Sequence, residues 1–140
     1  MSNISCTLKS TDGNTALTLS DFHPEHHGAD ADFFIVTVTS DTWRGEVRAS
    51  SFMATDLGDF FQDLARNWKG WEGERRWETL EGEFSICATS DRLGHIRLSF
   101  TLSQPHTGLE LQLKGALELE AGMLDSVAKQ VSAAWRQNAA

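Results

Sequence analysis

Three imidazoles and three carboxylates fall within one short run, His23-Pro24-Glu25-His26-His27-Gly28-Ala29-Asp30-Ala31-Asp32. Side chains of these types could hold zinc, nickel or copper. Their spacing follows neither helix nor strand, and Pro24 and Gly28 mark a surface loop, so His23, His26 and His27 are a weak candidate metal site beside the simpler reading of a polar loop. Cys6 and Cys87 stand far apart with no C-x-x-C pattern and are expected to act as small buried hydrophobes. Signatures of nucleophilic, zinc-hydrolytic or phosphate-binding chemistry are missing, so no catalytic residue and no cofactor is expected. His95, beside Gly94, reads as a strand-entry residue hydrogen-bonded to backbone, and His106 sits in a turn. Glu78, Glu81 and Glu83 could supply a general acid, but carboxylates near a loop are usually solvated charge.

The second unusual composition is Trp68-Lys69-Gly70-Trp71-Glu72-Gly73-Glu74-Arg75-Arg76-Trp77, which packs three of the five tryptophans into ten residues. Indole joins a large apolar area to one N–H that needs a partner, so such a cluster either closes a core or anchors a ligand. In the first reading Trp68 and Trp77 cap the core while Arg75 or Arg76 stacks over a ring. In the second, Trp71, between two glycines, is exposed and serves as a hot spot for a partner or a stacking platform. Trp71, Arg75, Arg76, Trp77 and Trp43 form the candidate binding set.

These residues need elements to position them, and period-two alternation supplies most of those. Ile4/Cys6/Leu8, Leu17/Leu19, Phe34/Val36/Val38, Trp43 to Ala49, Phe84/Ile86/Ala88, Ile96 to Leu102 and Leu109 to Leu119 predict seven strands. Phe33 and Ile35 lie opposite Phe34 and Val36, so the third strand could be covered on both sides. Short turns rich in Gly, Asp, Ser and Pro join the last three strands into an antiparallel meander.

Helical period appears twice. From about Thr55 to Trp68 the stripe is Leu57, Phe60, Phe61, Leu64, Ala65 and Trp68, with Thr55 as N-cap, Asp56 and Asp59 near the positive end of the dipole, and Gly70 as stop. From about Gly122 to Trp135 the stripe is Leu124, Val127, Ala128, Val131 and Trp135. The offsets match, a weak internal repeat that 3.6-residue periodicity explains without duplication. The expected fold is α+β, a single domain over residues 1–140 in the order ββββαβββα, with the two helices covering the apolar face of one antiparallel sheet.

The runs Leu57-x-x-Phe60-Phe61-x-x-Leu64-Ala65-x-x-Trp68, Gly70-Trp71-x-Gly73-x-x-x-Trp77, Glu81-Gly82 and Gly94-His95-Ile96-Arg97-Leu98 resemble a family of small bacterial proteins of unknown function. The resemblance spans about Phe34 to Val131, and its specific part is the tryptophan-glycine block. Trp43-x-Gly45 looks like a further family element. The resemblance implies the architecture and supplies no activity.

At 140 residues with 40 % apolar and 23 % charged side chains, the chain is long enough to bury one core without metals or crosslinks. A net charge of −8 opposes a phosphate backbone, so nucleic acid is not an expected partner. No basic-then-apolar leader and no run of about twenty apolar residues is present, which points to a cytoplasmic protein without membrane attachment. The leading functional expectation is a non-enzymatic protein-interaction module of immunity or regulatory type. A small-molecule binder or unrecognised enzyme with a pocket between sheet and helices is the alternative, and a homodimer through an unpaired edge strand is a third reading.

Overall fold

The computed structural model of the chain describes residues 5–24, 32–51, 54–104 and 111–137. Among the described residues, eight strands and two helices follow one another as β1 (Cys6–Lys9), β2 (Ala16–Pro24), β3 (Asp32–Thr39), β4 (Arg44–Ser50), α1 (Leu57–Arg66), β5 (Arg75–Glu78), β6 (Phe84–Ser90), β7 (His95–Ser103), β8 (Gln112–Glu120) and α2 (Leu124–Gln137). A 3₁₀ turn, Ala121–Met123, leads into α2. All neighbouring strands are antiparallel, and they form two sheets, β1-β2-β3-β4 and β5-β6-β7-β8.

Two expectations are thereby corrected. The strand count rises from seven to eight because β5 carries one buried apolar residue, Trp77, among Arg75, Arg76 and Glu78, too little alternation to register as a strand. The single sheet becomes two, since alternation reports that a strand has one buried face and says nothing about which surface buries it. Each four-stranded meander is followed by its own helix, so the matching helix stripes reflect a twofold ββββα order.

The helices do not simply blanket a sheet. They pack chiefly on each other, and the apolar faces of the two sheets share one continuous core with them. Phe34 on β3 meets Phe84 on β6 edge to face at 6.3 Å between centroids, joining the sheets directly. Trp135 of α2 adds edge contacts to Phe22, Phe34 and Trp77, so one helix residue touches aromatic rings from both sheets. Phe22 reaches this cluster because a register shift between Ser20 and His23, with Asp21 in a left-handed conformation (φ 49°), changes the phase of β2. Without that bulge, strict alternation from Leu17 and Leu19 would turn Asp21 inward.

The expected helix limits shift at both ends of α1. Asp56 rather than Thr55 is the N-cap, its side chain accepting the Gly58 amide at 2.7 Å. The helix ends at Arg66, leaving Trp68 beyond it and 56 % exposed, although its spacing put it on the apolar stripe. Gly70 follows in a left-handed turn (φ 114°), its amide donating to the Asn67 carbonyl at 2.8 Å. Cys6 is buried, and loss of water around it pushes its thiol up to about 11. Cys87 departs from the expected burial: it lies on the opposite face of β6 from Phe84, Ile86 and Ala88 and is partly exposed.

Candidate functional site

The residues of the tryptophan segment separate into buried and exposed sets. Trp71 is buried, with its indole N–H donating to the Ala88 carbonyl at 3.2 Å, which corrects the reading that made it an exposed platform. Trp77 is buried as well and donates to the Thr55 carbonyl at 3.0 Å. Tryptophan's need for an N–H partner is met in both by backbone, so these two rings close the core where Trp68 and Trp77 were expected to. Arg75 lies over the Trp71 ring at 5.9 Å and pairs with Asp63 at 2.7 Å, fixing the loop to α1. Arg76 points to the surface and reaches Glu74 at 3.4 Å. The segment therefore staples structure together, and little of it is offered to a ligand.

Trp43, from the same candidate set, behaves differently. Closing the β3–β4 turn, where the Ser40 amide donates to its carbonyl at 2.9 Å, it leaves 70 % of its surface exposed. It forms one wall of a hollow of about 410 Å³ between the two sheets, whose other apolar surfaces come from Val38, Phe100, Leu113 and Ala116. Thr15, Ser40, Gln112 and Lys114 supply polar groups to the same hollow. An apolar cavity of this size with a few polar groups is the usual form of a binding site.

Two glycines shape it. Phe100 and Gly115 are cross-strand partners, and a Cβ on Gly115 would stand 2.6 Å from the tip of the Phe100 ring, so the ring occupies the place of the missing side chain. A Cβ on Gly45 would stand 2.9 Å from Leu113, so Gly45 lets that leucine cross from β8 to β4. Past this contact lies a smaller hollow of about 190 Å³, lined by Val47, Leu102 and Leu111 among others, with Leu111 60 % exposed. Trp43-x-Gly45, noticed as a family element, thus places an exposed ring and a close sheet-to-sheet approach side by side. Phe100, Leu113, Lys114 and Gly115 were missed as site residues. A glycine inside the alternating run toward Leu117 was the available signal, because glycine within a strand often marks close approach.

The edge of β8 completes the site. Glu118 turns both its backbone groups outward, its amide donating to Ser10 Oγ at 3.0 Å and its carbonyl accepting from Thr11 at 2.8 Å. In an antiparallel strand every second residue repeats that orientation, so Gln112, Lys114 and Ala116 also direct N–H and C=O away from β7. Among the described residues no strand pairs with that stretch.

A second hollow, of about 610 Å³, is bordered by Trp68, Lys69, Arg92, Leu93, His95 and Glu120. Its cations are engaged with neighbours: Arg92 with Glu72, Lys69 over the Trp68 ring at 5.5 Å, and His95 Nδ1 with Asp91 Oδ2 at 2.7 Å. His95 opens β7 and its carbonyl accepts the Asp91 amide at 3.1 Å, as expected of a strand-entry residue, while its ring bonds the Asp91 carboxylate. The Asp91 hydrogen bond and charge raise the His95 pKa, while the Leu93 amide, donating to Asp91 Oδ1, chiefly lowers that of Asp91, with His95 assisting. A raised histidine value means that the pairing is fully present below the unfolded pKa and is lost as pH rises through the folded one. An NMR titration of the His95 ring should place its midpoint above 6.5 and return it toward that value in Asp91→Asn. An unmoved midpoint would show that the pair does not form in solution.

The carboxylates considered as acids have structural partners or face solvent. Glu83 accepts the Thr79 hydroxyl at 2.8 Å and the Ser50 amide at 3.3 Å, tying β6 to the end of β4, and Glu78 and Glu81 are exposed. His26 and His27 lie outside the described residues, as do Glu25, Asp30 and His106, whereas His23 pairs with Phe33 in the β2–β3 ladder. Among the described residues no group of three or more His, Cys, Asp or Glu side chains could hold a metal ion.

Two successive halves of four antiparallel strands and a helix, joined by a shared core and grooved where β4 and β8 approach, define an α+β protein. The chain belongs to the Family of unknown function (DUF6228), whose model matches residues 8–138. No curated protein matches the chain. A solved structure titled "Structure of the plant transcriptional regulator PBF-2" is similar over 94 % of this chain and 79 % of that one, with 11 % identity and a TM-score of 0.48. Among the described residues no helix is long and apolar enough to cross a membrane.

Proposed function

We propose that this chain is a non-enzymatic protein-interaction module, of immunity or regulatory type, which meets its partner at the Trp43 groove. One observation carries the reading: a tryptophan 70 % exposed stands over an apolar hollow beside an open strand edge. Leaving an indole in water forgoes a large apolar gain, and partners recover that gain by covering it, which is why tryptophan dominates interface hot spots. A net charge of −8 disfavours nucleic acid as that partner. The continuous core running through both halves supports treating residues 1–140 as one domain.

Site-specific photo-crosslinking tests the reading. With the photoreactive residue at position 43, cells making the chain should yield a discrete heavier adduct. With it at position 80, which is 60 % exposed and borders none of the three hollows described, they should not. The same adducts from both positions would reject the groove as the interface.

A second reading rests on the hollow's size, about 410 Å³, which suits a small apolar ligand. In that case a metabolite would raise Tm with concentration, as any ligand of the native state does. Trp43→Ala would abolish the shift.

A further inference from the structure

We infer that the open edge of β8 over residues 112–116 takes an extended, acidic segment of the partner protein as an added strand, one apolar side chain of which enters the Trp43 hollow. The inference deepens the interaction reading above and rests on it.

Backbone geometry comes first. Gln112, Lys114 and Ala116 share the orientation of Glu118, whose amide and carbonyl both reach out to the β1–β2 turn. At Glu118 this chain itself supplies the outer partners; from Ala116 back to Gln112 the described residues supply no backbone partner to the same groups. An extended peptide satisfies such a row by continuing the ladder, gaining affinity from main-chain bonds and specificity from alternate side chains.

Side-chain alternation then states what the segment carries. On β8, Leu113, Gly115, Leu117 and Leu119 share the face that holds Leu102, Phe100, Leu98 and Ile96 of β7. Residues of an added strand on that face would continue the apolar row about 4.8 Å further out, into the hollow walled by Val38 and Trp43. Gly115 keeps the entrance clear, because its missing side chain leaves only the Phe100 ring at that level. The neighbouring residues of the segment would lie on the other face, beside Lys114.

Charge selects between occupants. Among the described residues lining the hollow, Lys114 is the one that carries a charge, and it is exposed. A second copy of the chain pairing β8 with β8 about Lys114 would set two ammonium groups opposite each other, an arrangement by which natural edges resist self-pairing. A basic segment meets the same repulsion. An Asp or Glu opposite Lys114 meets attraction at a distance shorter than the screening length of about 8 Å, within which local sign outweighs the net charge of the whole chain. The expected pattern is apolar, acidic, apolar.

Selection of displayed random heptapeptides on the full chain tests this, with NMR amide shifts of the wild-type complex locating the bound peptide. Enriched peptides should share the apolar-acidic-apolar pattern and shift the amides of residues 112–116. Lys114→Glu should reverse the preference to Lys or Arg. Ala116→Pro removes one outward N–H while leaving the β7–β8 bonds intact, and it should weaken binding about tenfold or more, as should Trp43→Ala. Binding that survives Ala116→Pro but not Trp43→Ala would overturn strand addition and leave the groove as interface. Binding indifferent to both would overturn the two readings together. Absence of enrichment, or enrichment without a charge reversal in Lys114→Glu, would overturn the acidic-strand inference. A dimer seen by light scattering and abolished by Ala116→Pro would make a second copy the occupant and overturn it too.

Discussion

Replacing Phe34 with alanine should destabilise the chain by about 3–5 kcal/mol, the usual cost of removing a large buried aromatic side chain and leaving a cavity. Phe34 is fully buried and stacks on Phe22 at 5.4 Å with nearly parallel rings, and it meets Phe84 and Trp135 edge to face. Its loss would remove the ring that links β2, β6 and α2, so few neighbours could collapse into the void without moving a whole element. Against a total stability of about 5–15 kcal/mol, that is a large fraction. Chemical denaturation should show a lowered midpoint, while Phe33→Ala should cost no more than about 1 kcal/mol, since Phe33 is only half buried on the other face beneath the Arg48 guanidinium at 3.6 Å. Equal losses from the two substitutions would mean that the core side of β3 is misassigned.

A reversal of ordinary helix propensity is expected at Gly58. Inside a helix, glycine to alanine normally gains about 1 kcal/mol. Here a Cβ would fall against Ser132 Oγ and 2.7 Å from Ser132 Cα, where α1 and α2 pass each other. Backbone cannot swing aside as a side-chain tip can, so the helices would have to part, at an overpacking cost of about 1–3 kcal/mol on top of the forfeited gain. The Gln62 amide donating to Ser132 Oγ at 3.1 Å would be disturbed with it. Gly58→Ala should therefore lower Tm, and Ser132→Ala in the same chain should restore only part of the loss because Ser132 Cα remains in the way. A higher Tm for Gly58→Ala would show that the helices are further apart than described.

The internal repeat acquires a physical meaning from this crossing. Helix stripes beginning at Leu57 and Leu124 have matching offsets because each helix follows a four-stranded meander and must bury one side. Leu57, Phe61 and Leu64 of α1 and Leu124, Val127, Ala128 and Val131 of α2 enter one shared core, and Ser132 enters the helix contact opposite Gly58. Ser132, buried and polar, follows Leu124 and Ala128 at four-residue intervals on the same side of α2, where it meets Gly58 and accepts the Gln62 amide.

The candidate site was legible in part. Trp43 and Gly45 were singled out together, and the structure gives both a place on the groove or at its margin. Trp71 was given the alternative of an exposed ring because two glycines flank it, yet the same glycines let the loop fold back so that its indole reaches Ala88. Trp68 was counted as buried on spacing alone, and the end of α1 at Arg66 left it at the surface. Lys114 was not among the residues that the sequence set apart. Its significance depends on β8 being an edge, which no single-strand pattern records.

Side-chain alternation, helix stripes and turn residues were enough on their own to determine that this protein is α+β, that its strands run antiparallel, and that the faces bearing Phe34/Val36/Val38, Phe84/Ile86/Ala88 and Ile96/Leu98/Phe100 leave water, because those features follow from local backbone geometry and the aversion of apolar groups to solvent. Tertiary structure alone decided that the strands divide into two sheets, that β4 and β8 are edges, and that Gly45, Gly58 and Gly115 are the points of closest approach. These depend on which surfaces meet across long separations in sequence. A buried face is recorded in the order of residues along one strand; the identity of whatever covers it is not.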